Sequence, residues 1–281
     1  MNRFLIYFIK FLKNLSSIFQ SKELSLKLPS KEDSNIHPTE QKMPSQIKIV
    51  DAPNEVIDIM PMTKNVSNKI LWKELTPENY FKQEFQKELI VLHFTAGHKW
   101  EHAYDKFLTA PQKLGYRMAI PFIVDKKGPK YFIQLFNEKY WAYHLAIESV
   151  EHSRNWANDK RSIAIEIVNI GPVRLNDGIW KDYYGNIQSA NDIVQGRNKD
   201  ADGSVKFPDE QVEAVCRLVN HLCDKFNIPR QVPQNKISFQ LPEIGYFKGI
   251  TTHEMFRGDK YDMGIAWPWE KMIEKCNLKE V

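Results

Sequence analysis

The run ELIVLHF, from Glu88 to Phe94, constrains this chain more than any other feature. It is short, apolar and followed at once by Thr95, Ala96 and Gly97, the pattern of a buried strand that ends in a turn. His93 stands at the tip of that strand, so its imidazole emerges at a sheet edge, where ligand sites collect. Read alone, a histidine there is more often a hydrogen-bonded structural residue than a ligand.

Other elements follow the same logic. Trp100 to Leu108 reads as a helix. Ala119 to Val124 and Lys130 to Phe136 flank Asp125, Lys126, Lys127 and Gly128, which predicts a hairpin. Ser162 to Ile170 reads as a strand with Ile163, Ile165 and Ile167 on one face and Ala164, Glu166 and Val168 on the other, so Glu166 is a carboxylate in apolar company. Gly171 to Phe207 is rich in Asn, Asp, Gly and Tyr and reads as a long loop-like excursion from the fold. After Pro208, Val212, Val215, Val219, Leu222 and Phe226 recur at helical spacing until Pro229 closes the segment. Strands interleaved with helices predict an α/β domain on a mixed sheet.

The first residues differ in kind. Leu5, Phe8, Leu12, Leu15 and Phe19 share one helical stripe, while Lys10 and Lys13 interrupt the apolar run. The stretch is too short before Lys10 to span a bilayer and carries no Ala-x-Ala cleavage site. Three readings stay open: an export signal of poor form, a membrane-surface helix, or a tail without a role. We therefore divide the chain into an amphipathic segment or export/anchor signal at 1–22, a linker of Lys, Ser, Pro and Glu at 23–63, and a domain at 64–281 with an insertion at about 171–207. The expected location is exported or membrane-associated, in the periplasm or envelope, with the cytoplasm left open; oligomeric state is not legible.

Bulk composition excludes more than it selects. Basic and acidic residues, 39 against 35, nearly cancel to a net +4, so no nucleic-acid partner is expected. Cys216 and Cys223 lie seven apart on one helix, about 10 Å of rise, too far to bridge. With Cys276 they read as buried apolar thiols, and the absence of any CxxC pair argues against a cysteine-held metal.

Chemistry concentrates in His93 and in the late stretch TTHEMFRGDKYDMGIAWPW, which holds His253, Lys260 and Asp262. Their spacing is no metal code by itself, but zinc accepts imidazole and carboxylate ligands from distant segments. Taken in order, the strand-His-x-Thr-Ala-Gly start, the Trp141-x-x-His144 segment, the Ser-Ile-x-Ile-Glu strand ending in Glu166 and the His253…Lys260-x-Asp262 ending resemble the type 2 N-acetylmuramoyl-L-alanine amidases, the family of phage lysozyme-type amidases and peptidoglycan recognition proteins. The likeness runs from about Lys69 to Trp269.

That resemblance implies a central mixed sheet flanked by helices, one Zn2+, and hydrolysis of the amide between the lactyl group of N-acetylmuramic acid and L-alanine in peptidoglycan or a muropeptide. Carried over residue by residue, it makes His93, His253 and Asp262 the metal ligands, Glu166 the general base, Lys260 an oxyanion stabiliser, and His144 and, more weakly, Thr95 substrate contacts. Two rivals remain: a non-catalytic peptidoglycan-binding receptor, and a zinc peptidase cutting the stem peptide. Three departures stand out. Ile120 falls where phage-type members carry a catalytic tyrosine, Met263 where proline is common, and the interval from His253 to Asp262 is one residue shorter than in some relatives. Trp180, Tyr183 and Tyr184 in the insertion are open to sugar stacking or to packing, and Trp267 and Trp269 to cleft or core.

Overall fold

The computed structural model describes residues 69–126, 131–146, 157–240 and 243–281. The amphipathic segment and the linker lie outside the described residues, as do the hairpin-turn residues Lys127 and Gly128. No helix among the described residues is long and apolar enough to cross a membrane.

Six strands form the central sheet: β1 (Lys69–Trp72), β2 (Leu89–Phe94), β3 (Phe122–Val124), β4 (Tyr131–Gln134), β5 (Ser162–Ile167) and β11 (Gly249–Thr252). Their order is β1-β4-β3-β5-β2-β11. β3, β5, β2 and β11 run parallel, whereas β4 pairs antiparallel with β3 and carries β1 parallel to itself. The sheet is therefore mixed, with a four-strand parallel block at its centre and end. Parallel strands are buried on both faces, which is why β2 reads as an unbroken apolar run.

Helices cover both faces. On one, α3 (Asp209–Phe226) packs Val212, Val215, Val219 and Leu222 against Ile90, Leu92, Ile163, Ile165 and Ile167. Gln211 on its first turn donates to the carbonyls of Val124 and Val168, tying the helix start to the strand ends. The helix stops where Asn227 turns left-handed, at φ 54°. Its neighbour α5 (Trp269–Cys276) shares this core, in which Trp267 is buried and Trp269 half-buried, so both serve packing. Cys216, Cys223 and Cys276 are free and buried there. On the other face lie Ala164, Val168 and Ile123 with Ala103 and Phe107 of α1 (Trp100–Leu114). Both predicted faces of β5 are thus occupied as the alternation requires. α1 runs six residues past Leu108, through Pro111, and ends at Gly115 with φ 74°. The short helices α2 (Ala157–Arg161) and α4 (His253–Phe256) abut the ends of β5 and β11.

The stretch from Gly171 to Phe207, read above as loop-like, forms a second sheet. β6 (Pro172–Asn176), β7 (Ile179–Lys181), β8 (Ile193–Asn198) and β9 (Ala201–Val205) pair antiparallel in the order β7-β6-β9-β8. Val173, Trp180, Ile193 and Val205 make its core. Exposed polar positions on the other face and glycine turns give the stretch its loop-like composition. A short parallel pair, β10 (Gln231–Val232) with β12 (Lys279–Glu280), closes the C-terminus.

One buried charge organises the floor beneath the sheet's site. Lys87 is 2% exposed, and its Nζ donates to the carbonyls of Tyr140, Lys160 and Ser162 at 2.7–3.1 Å. Burial depresses its pKa to about 7, opposed by the charges of Glu138 and Asp159. Lys87→Met leaves three buried carbonyls without their donor, and we expect a loss of about 3 kcal/mol, read as a lower urea midpoint at unchanged m-value. An unchanged midpoint contradicts this account.

Candidate active site

Strand register assembles the site. In the parallel pairing of β2 with β5, His93 lies opposite Glu166. In the pairing of β11 with β2, Thr252 lies opposite Leu92, so His253, the next residue, continues the row beside His93. Aligned residues of neighbouring strands share a face. The row His253, His93, Glu166 therefore stands at the carboxyl ends of three adjacent parallel strands, the end of an α/β sheet where ligands bind. Ile123 of β3 continues the row opposite Glu166 and closes it with an apolar side chain.

Asp262 reaches this row from the loop after α4. Its Oδ1 accepts from the Phe94 N–H at 3.2 Å, and its two oxygens lie 3.8 Å from His93 Nδ1 and 3.6 Å from His253 Nδ1. One donor atom from each of His93, His253 and Asp262 lies within 4.8 Å of the other two, and all three residues are buried. Two residues at positive φ, Met263 (φ 63°) and Gly264 (φ 49°), turn the chain directly after Asp262. A Cβ on Gly264 would meet Asn198 Nδ2 at 2.3 Å, and the Gly264 N–H donates to Glu254 Oε1. Burial raises the Glu254 pKa to about 8.

The outer nitrogens of both imidazoles are held from behind. His253 Nε2 lies 2.8 Å from the Leu145 carbonyl, which only accepts; Nε2 thus carries the proton and Nδ1 offers its lone pair to Asp262's side. His93 Nε2 lies 3.1 Å from His144 Nδ1, and His144 Nε2 lies 2.8 Å from Ser162 Oγ, which donates to the Asn158 carbonyl. The His144 side chain is 4% exposed. Asp159 accepts from the backbone N–H groups of His144 and Leu145, fixing both.

Electrostatics suit a cation. Burial, reinforced by the neighbouring His253, pushes the His93 pKa well below its ordinary value, and burial with Lys260 does the same to His253. Both rings are neutral. Burial lifts Asp262 to about 6 against the pull of the Phe94 N–H. Two neutral nitrogen donors and one carboxylate, closely spaced, are a donor set that zinc accepts.

Around this group opens a cleft of about 310 Å³, lined by Glu166, Lys106, Ile120, Thr95 and Lys260 among others. Burial raises Glu166 to about 7, opposed first by Lys106. Lys106 was not visible as a site residue in the sequence, because an exposed lysine on a surface helix carries no signal. Ile120, buried, presents an apolar wall to the cleft. The Thr95 hydroxyl is engaged with the backbone of Gly97 and Asn169 at the cleft edge.

Fold and row together define an α/β domain with a two-imidazole, one-carboxylate group at its parallel strand ends. A family model described as N-acetylmuramoyl-L-alanine amidase matches residues 84–265, and the chain belongs to that family. No curated protein matches the chain. Among solved structures, it is similar to PlyL at 16% identity and a TM-score of 0.43, covering 74% of this chain and 96% of that one. It is similar to the amidase AmiD from E. coli, solved with anhydro-N-acetylmuramic acid-L-Ala-D-gamma-Glu-L-Lys, at 17% identity and a TM-score of 0.43, covering 69% of this chain and 59% of that one. A third is AmpDh3 from Pseudomonas aeruginosa, at 17% identity and a TM-score of 0.40, covering 69% and 61%.

The backbone at Met263 restricts what can stand there. Proline is locked near φ −65°, so it cannot occupy a residue at φ 63°. Met263→Pro is expected to cost about 3 kcal/mol or more and to lower the melting temperature. A variant that melts with the wild type rules out this loop geometry.

Proposed function

We infer that this protein hydrolyses the amide between the lactyl group of N-acetylmuramic acid and L-alanine, in peptidoglycan or a muropeptide, with one zinc ion held by His93, His253 and Asp262. The convergence of these three side chains beside Glu166 carries the reading. Bound there, zinc supplies a Lewis acid that polarises a carbonyl oxygen and makes water more acidic.

The chain's own residues do the remaining work. Glu166 accepts the proton of the attacking water at its carboxylate and returns it to the departing amine nitrogen. Burial holds its pKa near 7, where a group can both take and give a proton. Lys260 presents its ammonium to the negative charge that develops on the carbonyl oxygen. Lys106, whose charge most opposes the rise, keeps the Glu166 pKa from climbing further. Ile120 excludes water where relatives use a phenol, which leaves the proton transfers to Glu166. His144 acts as a positioning residue, its ring nitrogens meeting His93 and Ser162 so that it orients the His93 ring, and it also lines the cleft, where the substrate contact expected from its motif would be made. Thr95 holds the strand-end turn. An envelope location, with the N-terminal segment as attachment or export element, matches a wall substrate.

Two outcomes test this. Glu166→Gln is expected to lower release of L-alanyl peptides from purified peptidoglycan by at least about 10²-fold while zinc content stays unchanged. Because the base must be ionised, the wild-type rate should fall as pH drops through and below about 7, a limb that bound zinc shifts downward. Full turnover by the variant, or products cut within the stem by mass spectrometry, removes the reading. His144→Phe is expected to weaken zinc binding by about 10–100-fold in chelator competition, and unchanged affinity rejects the positioning role.

A further inference from the structure

The inserted sheet reaches the edge of the cleft through the turn between β7 and β8. Asp182, whose side chain is fully buried, is the hub of that turn. It accepts from the backbone N–H groups of Tyr184 and Asn186 and from the side-chain amides of Asn186 and Gln188, at 2.9–3.1 Å. Two contacts then fasten the turn to the loop after β2. His98 Nε2 lies 3.4 Å from Asp182 Oδ2, and the Tyr184 hydroxyl donates to the Ala96 carbonyl at 3.2 Å. Ala96 itself lines the cleft beside His93.

This rigid turn displays aromatic surface to solvent. Tyr183 is 83% exposed and Tyr184 63% exposed, their rings set edge to face with centroids 5.4 Å apart, and Ile187 beside them is 70% exposed. Trp180, by contrast, is buried in the insertion's core. Folding gains little from the burial of rings this exposed, yet four hydrogen bonds to Asp182, the Tyr184 hydroxyl on Ala96 and the His98–Asp182 contact hold the turn in place.

We propose that Tyr183 and Tyr184 form a stacking platform for the glycan strand of peptidoglycan, extending the cleft along the sugar chain that carries the scissile amide. The proposal rests on the amidase reading for its choice of ligand. Charge selects glycan over stem peptide. From Asp182 to Ser189 the only charged side chain is Asp182, and its carboxylate is buried and engaged, so the turn offers aromatic faces and amides. N-acetylated sugar rings are neutral and present C–H faces to such rings, with hydroxyl groups left for water or amides. A stem peptide carries carboxylate and ammonium groups, whereas the exposed stretch from Tyr183 to Ser189 holds no side chain of either charge.

Binding of the full chain to a soluble N-acetylglucosamine oligosaccharide and to peptide-free glycan strands, measured by titration calorimetry, tests the platform apart from hydrolysis. Wild type is expected to bind saturably and Tyr183→Ala/Tyr184→Ala about tenfold more weakly. Tyr183→Phe, which keeps the more exposed ring and leaves the Tyr184 hydroxyl on Ala96, should bind within about twofold of wild type by the same reasoning. If the double alanine variant unfolds, Tyr183→Ala alone, at the more exposed ring, carries the same expected weakening. Wild type that ignores both sugars, or alanine variants that bind as wild type does, overturns the proposal. If the variants sort as expected but wild type never frees L-alanyl peptides, the platform stands and the amidase reading falls.

Discussion

Parallel register between β11, β2 and β5 is the constraint from which the rest of this site follows. Because paired residues of adjacent strands face the same way, one alignment puts His253, His93 and Glu166 in a row. A slip of one residue on any strand would turn its member of the row into the opposite core, against α3. That slip is blocked by the apolar sets on both faces, Leu92 and Ile165 on one side and Val91 and Ala164 on the other. Core packing thus supplies the precision that the imidazoles need. Asp262 is then tied to the same strand tip through the Phe94 N–H, so the third donor is referenced to the same sheet.

Behind the row stands a layer of hydrogen-bonded polar groups. Leu145 and His144 fix the outer nitrogens of the two imidazoles, Asp159 fixes the backbone of both, and Lys87 braces three carbonyls below. Polar groups buried this deeply are stabilising only when satisfied, and here they are also what orients the rings. The inserted sheet adds an outer brace. It touches the β2 turn through Tyr184 and the Asp262 loop through Tyr261, whose hydroxyl donates to Asp200. Both walls of the cleft are therefore anchored to one rigid appendage.

Much of this was legible in the sequence, for a physical reason. β2 and α3 announce themselves because their hydrophobic periods match their environments, two-sided burial for the strand and a single apolar stripe for the helix. Glu166 stands out because a carboxylate among isoleucines is costly unless used. The insertion was not legible: β8 (IVQGRN) is exposed along its middle and β9 (ADGSV) is built mostly of small residues, both with glycine inside, and they are stabilised by pairing with each other, by pairing of β9 with β6 and by the buried Trp180 rather than by local preference. Pro111 hid the last turns of α1. His144 could be found as a motif residue, but its place behind His93 depends on Ser162 and Asn158, which no local pattern links to it. Lys106 gave no signal at all.

Direct counting of bound zinc tests the account at its centre. Metal-free protein dialysed to equilibrium against zinc should take up one ion per chain, and His93→Ala, His253→Ala and Asp262→Ala should each lose that ion under the same conditions. Wild type that binds none, or variants that each keep a full equivalent, would contradict the shared site on which the proposed chemistry is built.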